Sequence, residues 1–400
     1  MQAPLPLEEA QARLLALAAP LPAERLAIGG TLGRYLFQPL RARRSQPAAD
    51  LSAMDGYAVA HDSLAGPWQV TGESAAGHPF AGTLHSGEAV RISTGAVLPC
   101  GAGVVVVQED CLRDGSRLTV TGTPPLPPDR HIRRQGTDFT AGAELLPAGT
   151  RIGPAQLALA ISAGHSHLAV RRLPRVTIID SGDELAPPGT PCPVHNIPAG
   201  NGAMLAAMAG ALPCRVSRIG PVPDDLPRLM TALAKTRGAD IIVTSGGASV
   251  GDHDLIGPAL AQWGAEIDFW KVAIKPGKPL LVARRGHQIV LGLPGNPVAS
   301  LVTGFFFLLP LLRTLLGAGQ CLPRPFIARL GNAMPANGER REFVRGQWDG
   351  TAIATGTSND SGALASMARC NVVVDRAANS SALVAGAEVS AYLLESAGIA

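Results

Sequence analysis

The feature that most constrains this chain is a series of short β-branched runs, each ending in a glycine-rich or acidic turn and leading into a helical pattern. From residue 175 to residue 300 the order includes RVTIIDSGDEL, NGAMLAAMAGAL, CRVSRIGPVPDD, LPRLMTALAKTRG, ADIIVTSGGASVGDHD and QIVLGLPGNPVAS. This alternation is the pattern of βα units, whose parallel sheet is covered by helices on both faces. Ligands of such sheets lie beyond the carboxyl ends of the strands. The turns are therefore the candidate site: Ser181-Gly182-Asp183-Glu184, then Pro223-Asp224-Asp225, then Ser245-Gly246-Gly247 with Ser249, Gly251, Asp252 and Asp254, then Pro294-Gly295-Asn296. Glycine lets backbone approach a ligand closely. Asn296 is placed to cap a helix that Pro297 opens, and a helix start favours an anion. FWKVAIKPGKPLL sets Lys271, Lys275 and Lys278 near the same edge. Lysines there can neutralise a pyrophosphate or oxyanion. The carboxylates suit Mg²⁺, which commonly takes one or two of them and keeps its waters. Plainer readings stand beside these: a turn Asp caps helices, as Asp224-Asp225 before Leu-Pro is placed to do, and KPGKP is a solvated turn. Neither glycine turn is a Walker A loop or a GxGxxG fingerprint, so generic ATP or NAD binding gains no support.

Four hundred residues are enough for about two to four domains. The 46 glycines and 34 prolines break a chain that is 46% apolar into many short elements. An aromatic content of 4% and a formal charge of +3 argue against a nucleic-acid stacking platform or an electrostatically driven membrane partner. Six cysteines (100, 111, 192, 214, 321 and 370) show no CxxC spacing, the usage of reduced thiols in a cytoplasmic protein. The opening MQAPLPLEEAQARLL lacks the basic region of a secretory signal. The most apolar stretch, 298–312, carries Ser300, Thr303 and Pro310 and stops at Arg313. It is shorter than the roughly 20 residues of a membrane span and is expected to be a buried helix.

Around the α/β core, helical spacing predicts an amphipathic helix over 7–19 and a second within 24–44, around LGRYLFQPLRARR. Residues 50–123 change period: YAVA, WQVTG, AVRIST and VVVVQED read as strands of a β-rich insert. A helix returns at PAQLALAISAGH, so the pieces before and after the insert are expected to pack together. The closing stretch alternates in EFVRGQW, NVVVDR and EVSAYLL, the pattern of a small β domain. The resulting division is 1–45 with 139–173, 46–138, 174–322 and 323–400. In the insert, Asp55-Gly56 within SAMDGYAV is either a hairpin turn or a functional acid, and Thr94-Gly95 is similarly open. His165-Ser166-His167 has no companion at zinc-ligand spacing. No GxSxG or HExxH motif offers a hydrolase or zincin foothold.

SAMDGYAV, RISTGAVLP, RRQGTDFTAG, SGDEL, TSGGASVGDHD, KPGKP and GLPGNPVAS together resemble, in that order, the MoeA family of molybdopterin molybdenumtransferases; the C-terminal half of gephyrin is similar. The resemblance covers nearly the whole chain. It implies a multidomain α/β plus β fold: a discontinuous N-terminal domain, a β-rich insert, a molybdopterin-binding α/β domain and a C-terminal β-barrel. It implies a cytoplasmic homodimer whose site lies at the subunit interface. It further implies Mg²⁺-dependent insertion of molybdate into adenylylated molybdopterin, with release of AMP. By the same resemblance, Glu184, Asp225, Asp254, Lys275 and Lys278 match site positions of the α/β domain, with Glu184, Asp225 and Asp254 as the metal set. Asp55, Thr94 and Asp138 match positions reaching the partner's cleft, and Arg345 and Ser361 match positions in the last domain. The Ser181, Gly182, Ser245–Gly247, Ser249, Gly251 and Pro294–Asn296 turns are the expected substrate cradle. Ala199-Gly200-Asn201 replaces the family's DSN-like stretch, His253 stands where Tyr is common, Gly103 replaces an acidic residue, and SNDSGALASM replaces a QGS-type turn. Contact with the pathway's adenylyltransferase and with recipient molybdoenzymes is a further implied partnership. The rivals are a molybdopterin adenylyltransferase, which is generally one α/β domain, a non-catalytic cofactor carrier, and a gephyrin-like scaffold.

Overall fold

Strand Ile241–Ser245 is buried along its whole length, because the sheet around it is covered on both faces. The computed structural model describes residues 3–62, 64–246, 255–356, 360 and 362–394. Its central sheet has six strands in the order Arg215–Val222, Arg175–Ser181, Ile241–Ser245, Gln288–Leu293, Leu281–Arg285, Glu266–Trp270. The first four are parallel, and the last two run as antiparallel neighbours. Side chains alternate between two cores. Val176, Ile178, Ile241, Val243 and Leu291 face helices Asn201–Gly210 and Pro297–Thr303 with its continuation. Ile179, Ile242 and Val290 face Leu226–Ala234 and Ile256–Gln262. The chain leaves Arg175–Ser181 for one neighbour and returns to the other side, which opens a crevice at the carboxyl ends of Arg175–Ser181 and Ile241–Ser245.

The expected buried helix runs from Pro297 to Leu315. It is 19 residues long and apolar enough to cross a membrane, but 89% of its apolar window is packed inside the protein. Its middle, Gly304–Leu308, is a π turn, a local irregularity next to a proline. Pro310 has no N–H to offer the α-helical partner four residues back. That partner, the Phe306 carbonyl, accepts a hydrogen bond from Gln11 Nε2 at 2.9 Å. Gln11 belongs to the amphipathic helix Leu7–Ala16, whose Leu7, Ala10 and Leu14 join the same core. Phe306 also stacks at 4.2 Å on Phe343 and meets Tyr392 edge-on at 5.0 Å, so the first helix, the α/β unit and the last domain share one core.

The helix expected within 24–44 does not form. Ala23–Ala27 is a strand paired with His167–Arg171, and Leu40–Arg41 pairs with Glu144–Leu146. Leu36 and Leu40 pack on Ile152, Leu168 and Val170, a non-local core that overrides the local spacing. Gly29, Gly30, Gly33 with its positive φ of 79°, and Pro39 also weaken a helix there. The pieces flanking the insert thus pair with each other, and helix Pro154–Ser162 lies over them. Inside the insert a six-stranded sheet has the order Val104–Val107, Gly56–Val59, Glu88–Ile92, Trp68–Ser74, Arg117–Val120, Cys111–Asp114. Asp55-Gly56 is not a hairpin turn: Gly56 begins a strand paired on both sides. A Cβ there would lie 2.1 Å from the Val106 carbonyl.

The last domain closes on itself. Phe326–Leu330, Ala352–Thr355, Arg341–Trp348, Val372–Arg376 and Glu388–Leu393 pair around a five-stranded barrel. A two-residue strand from the α/β unit, Ile274–Lys275, adds alongside Arg341 and Glu342. That pairing carries the first KPGKP lysine to the barrel wall.

Candidate functional site

Two structures meet at the site: the strand ends of the α/β unit and one wall of the barrel. At the crevice, Gly246 (φ 97°) passes so close to Ser181 that a Cβ would lie 2.4 Å from its carbonyl, and a Cβ on Gly295 would lie 3.6 Å from Gly246 Cα. A side chain is excluded at Gly246, whereas the Gly295 approach is ordinary van der Waals contact. The N–H groups of Gly182 and Gly246 donate to Val222 and Leu293 carbonyls at 3.1 and 3.3 Å, so in this structure they extend the sheet.

Two helix starts flank the crevice, and they differ. Beside Asn201–Gly210, the Asp180 carboxylate, 2% exposed, lies against Gly202, where a Cβ would come 2.1 Å from Oδ2. Arg218 pairs with the same oxygen at 3.1 Å. This helix start is filled by the protein's own carboxylate. At Pro297 the Asn296 backbone takes the N-cap conformation, but its side chain makes no capping hydrogen bond. Asn201 Nδ2 fixes the turn by donating to the Gly295 carbonyl at 2.6 Å. Free first-turn N–H groups and the helix dipole therefore favour an anion at Gly295–Asn296.

The carboxylates divide the work. Asp225 caps Leu226–Ala234, accepting from Arg228 N–H at 3.0 Å. Its neighbour Asp224 turns into the crevice, where Ser181 Oγ donates to it at 3.0 Å and its own N–H donates to Asp183 at 3.1 Å. The exposed Glu184 folds over Gly182, with Oε2 2.4 Å from where a Cβ would stand. Gly247, Ser249, Gly251, Asp252, His253, Asp254 and Ser361 lie outside the described residues. Among the described residues no three His, Cys, Asp or Glu side chains gather as a metal cluster.

The barrel side is a cavity of about 380 Å³ lined by Lys275, Glu342, Arg345 and Arg369, among others. Val298, in the first turn of the Pro297 helix, also lines it, so the cavity reaches the open helix start. Lys275 Nζ is 2.8 Å from Glu342 Oε1. Arg345 donates to the carbonyls of Asp360 and Ala363 at 3.0 and 3.3 Å. Lys278 is exposed and lies outside this lining. Burial raises the Cys370 thiol above its ordinary pKa, against the pull of Arg345. Glu342, Arg369 and Cys370 carry no motif; in sequence they are two barrel strand and turn positions and a lone thiol.

The insert residues stand apart. Asp55 accepts from Thr94 N–H at 2.6 Å and Thr94 Oγ1 at 3.0 Å, and these bonds hold its carboxyl below the usual range. Asp138 is exposed near Gln46, whose carbonyl accepts its N–H at 3.0 Å. These bonds all stay within the insert and its base; none joins Asp55, Thr94 or Asp138 to the crevice.

With this geometry in hand, residues 5–164 match the MoeA N-terminal region (domain I and II), 177–314 a probable molybdopterin binding domain, and 327–394 the MoeA C-terminal region (domain IV). The molybdopterin molybdenumtransferase of a Nostoc species is 35% identical over 358 residues, 85% of this chain and 82% of that protein. The chain belongs to the MoeA family. The Haemophilus influenzae molybdopterin molybdenumtransferase is 34% identical over 349 residues, 86% of this chain and 85% of its own. Two solved chains of the MoeA protein of Pyrococcus horikoshii superpose with TM-scores of 0.84 at 29% and 25% identity, covering 98% of this chain and 100% of theirs. The expected MoeA architecture is thus present: α/β ligand domain, β-rich insert and closed barrel.

Proposed function

We propose that this MoeA-family chain inserts molybdate into adenylylated molybdopterin, cleaving its phosphoanhydride to release AMP and leave molybdenum on the dithiolene. The observation that carries this is the two-walled site: an uncapped helix start at Gly295–Asn296 opening into a cavity bordered by Lys275 and Arg345. The helix start suits a phosphate, and the cationic wall suits a second, separate oxyanion. An adenylyltransferase of one α/β domain would have no barrel wall, so that rival is not favoured.

Mg²⁺ commonly takes only one or two carboxylates and keeps its waters, and Glu184 and Asp225 offer hard oxygens at neighbouring turns of the crevice. We assign Glu184 and Asp225, with Asp254, to hold it; bound there, it would neutralise phosphate charge. The chain's own residues do the rest: Asn201 orients the Gly295 turn, Ser181 holds Asp224, and Glu342 holds Lys275. On the resemblance to the family, we assign Asp55, Thr94 and Asp138 to the crevice of a second copy in a homodimer; the hydrogen bonds described for them stay within the insert and its base. Lys278 and Ser361 stay in the substrate set. The division 1–45 with 139–173, 46–138, 174–322 and 323–400 is retained, and the six free cysteines support a cytoplasmic setting.

The test is AMP release from adenylylated molybdopterin by purified protein with Mg²⁺, with and without molybdate. Molybdate-dependent release with formation of active cofactor is expected. Tight binding with no release would replace this reading with that of a cofactor carrier.

A further inference from the structure

Four charged side chains line the cavity between the barrel and the α/β unit, three cationic and one acidic. Two of the cations already have protein acceptors. Lys275 is paired at 2.8 Å with Glu342, a carboxylate only 8% exposed. Arg345 is itself 8% exposed, and the Asp360 and Ala363 carbonyls accept from it. Arg369 differs. It follows the short helix Leu364–Ala368, its side chain is exposed at the cavity wall, and no described residue accepts from it or pairs with it.

Physical consequences follow from that contrast. A lysine held by a nearly buried carboxylate attracts an incoming anion only as part of a neutral pair, so most of its field is already cancelled. An arginine donating to two carbonyls keeps its charge but has fewer N–H groups to give a ligand. A guanidinium with no acceptor among the described residues presents the fork that oxyanions accept in bidentate fashion. Gln347, Thr355 and Ser366 line the same space, and such amide and hydroxyl groups could complete the hydrogen bonding of a tetrahedral anion.

We infer that Arg369 is a further anion-contacting residue of the barrel, beside Lys275 and Arg345, and that its guanidinium binds a tetrahedral oxyanion entering the cavity between them. The inference rests on the molybdate-insertion reading for the presence of such an anion. The oxyanion is either molybdate itself or the phosphate of the nucleotide, and binding separates the two. Glu342 has the complementary part: it keeps Lys275 at the cavity edge while Arg369 supplies the uncommitted charge.

The experiment is isothermal titration of the full-length protein with sodium molybdate and, separately, with AMP, for wild type, Arg369→Gln, Arg369→Lys and Arg324→Gln. Arg324 is an exposed arginine outside the cavity lining and controls for the change in net charge. Loss of a charge-assisted contact is expected to weaken binding by about tenfold or more. Arg369→Lys should retain part of the affinity, and Arg324→Gln should match wild type. A loss confined to molybdate places molybdate at Arg369; a loss confined to AMP places the nucleotide phosphate there. Folded Arg369→Gln protein that binds both anions as wild type does overturns the inference and leaves the insertion reading standing. Wild type that binds neither anion overturns the reading and the inference together.

Discussion

Replacing Gln11 with Leu isolates one buried hydrogen bond that the sequence of a distant helix makes necessary. Gln11 is 6% exposed, and its amide donates to the Phe306 carbonyl at 2.9 Å. Phe306 is 1% exposed, so no water replaces the lost donor. Pro310 cannot serve as the α-helical donor. Leaving a buried carbonyl without that partner costs about 1–3 kcal/mol. Leucine fills similar volume without a polar group to desolvate, which sets the expected cost in the lower half of that range. The readout is hydrogen exchange of the Leu7–Ala16 amides, since opening of this helix breaks the bond. A cost of about 1.4 kcal/mol lowers protection about tenfold. A double-mutant cycle with Pro310→Ala sharpens the test, because alanine restores an N–H to the turn. The penalty of Gln11→Leu should then shrink toward zero. An equal penalty in both backgrounds refutes the link between Pro310 and Gln11, and unchanged protection in the single variant refutes the role of the bond itself.

Gly202→Ala sets two effects against each other: alanine gains about 1 kcal/mol of helix propensity, while its Cβ would sit 2.1 Å from Asp180 Oδ2. Overpacking of that kind costs about 1–3 kcal/mol, so a thermal melt should show net destabilisation. Asp225→Asn keeps the helix cap, because Asn caps as well as Asp, whereas Asp225→Ala loses about 1 kcal/mol of helix stability. Molybdate-dependent AMP release should fall at least about tenfold in the Asn variant with an unchanged melt; full activity would remove Asp225 from the metal set. In the insert, the Gln135 N–H and then Arg134 hold the Asp50 carboxyl below its ordinary value. The folded state thus binds its proton less readily, and this stabilisation is complete above the unfolded value of 3.8 and lost as pH falls through the folded one. Limited proteolysis of the insert should accelerate below about pH 4, and Asp50→Asn should flatten that part of the profile.

What could be read from the chain, and what could not, separates along the range of the interactions. The βα units were legible because strands buried on two faces carry their pattern locally: Ile241–Val243 and Ile289–Leu291 need no partner to be identified as apolar runs. The segment 24–44 misled because Leu36 and Leu40 are spaced acceptably for a helix, while their burial depends on Ile152 and Val170, far along the chain. The site shows the same limit in finer detail. Asp224 and Asp225 are adjacent and chemically identical, so sequence names the pair but cannot divide it. Their backbone course does: Asp225 takes the cap, and Asp224 turns toward Ser181. Likewise KPGKP announces two lysines but not that a barrel strand 67 positions away will pair with the first of them. An anion site divided between two domains therefore leaves in sequence only the half that lies on glycine-rich turns. Glu342 and Arg369 lie on the half without a motif, and the fold alone brings them to the same cavity as Lys275.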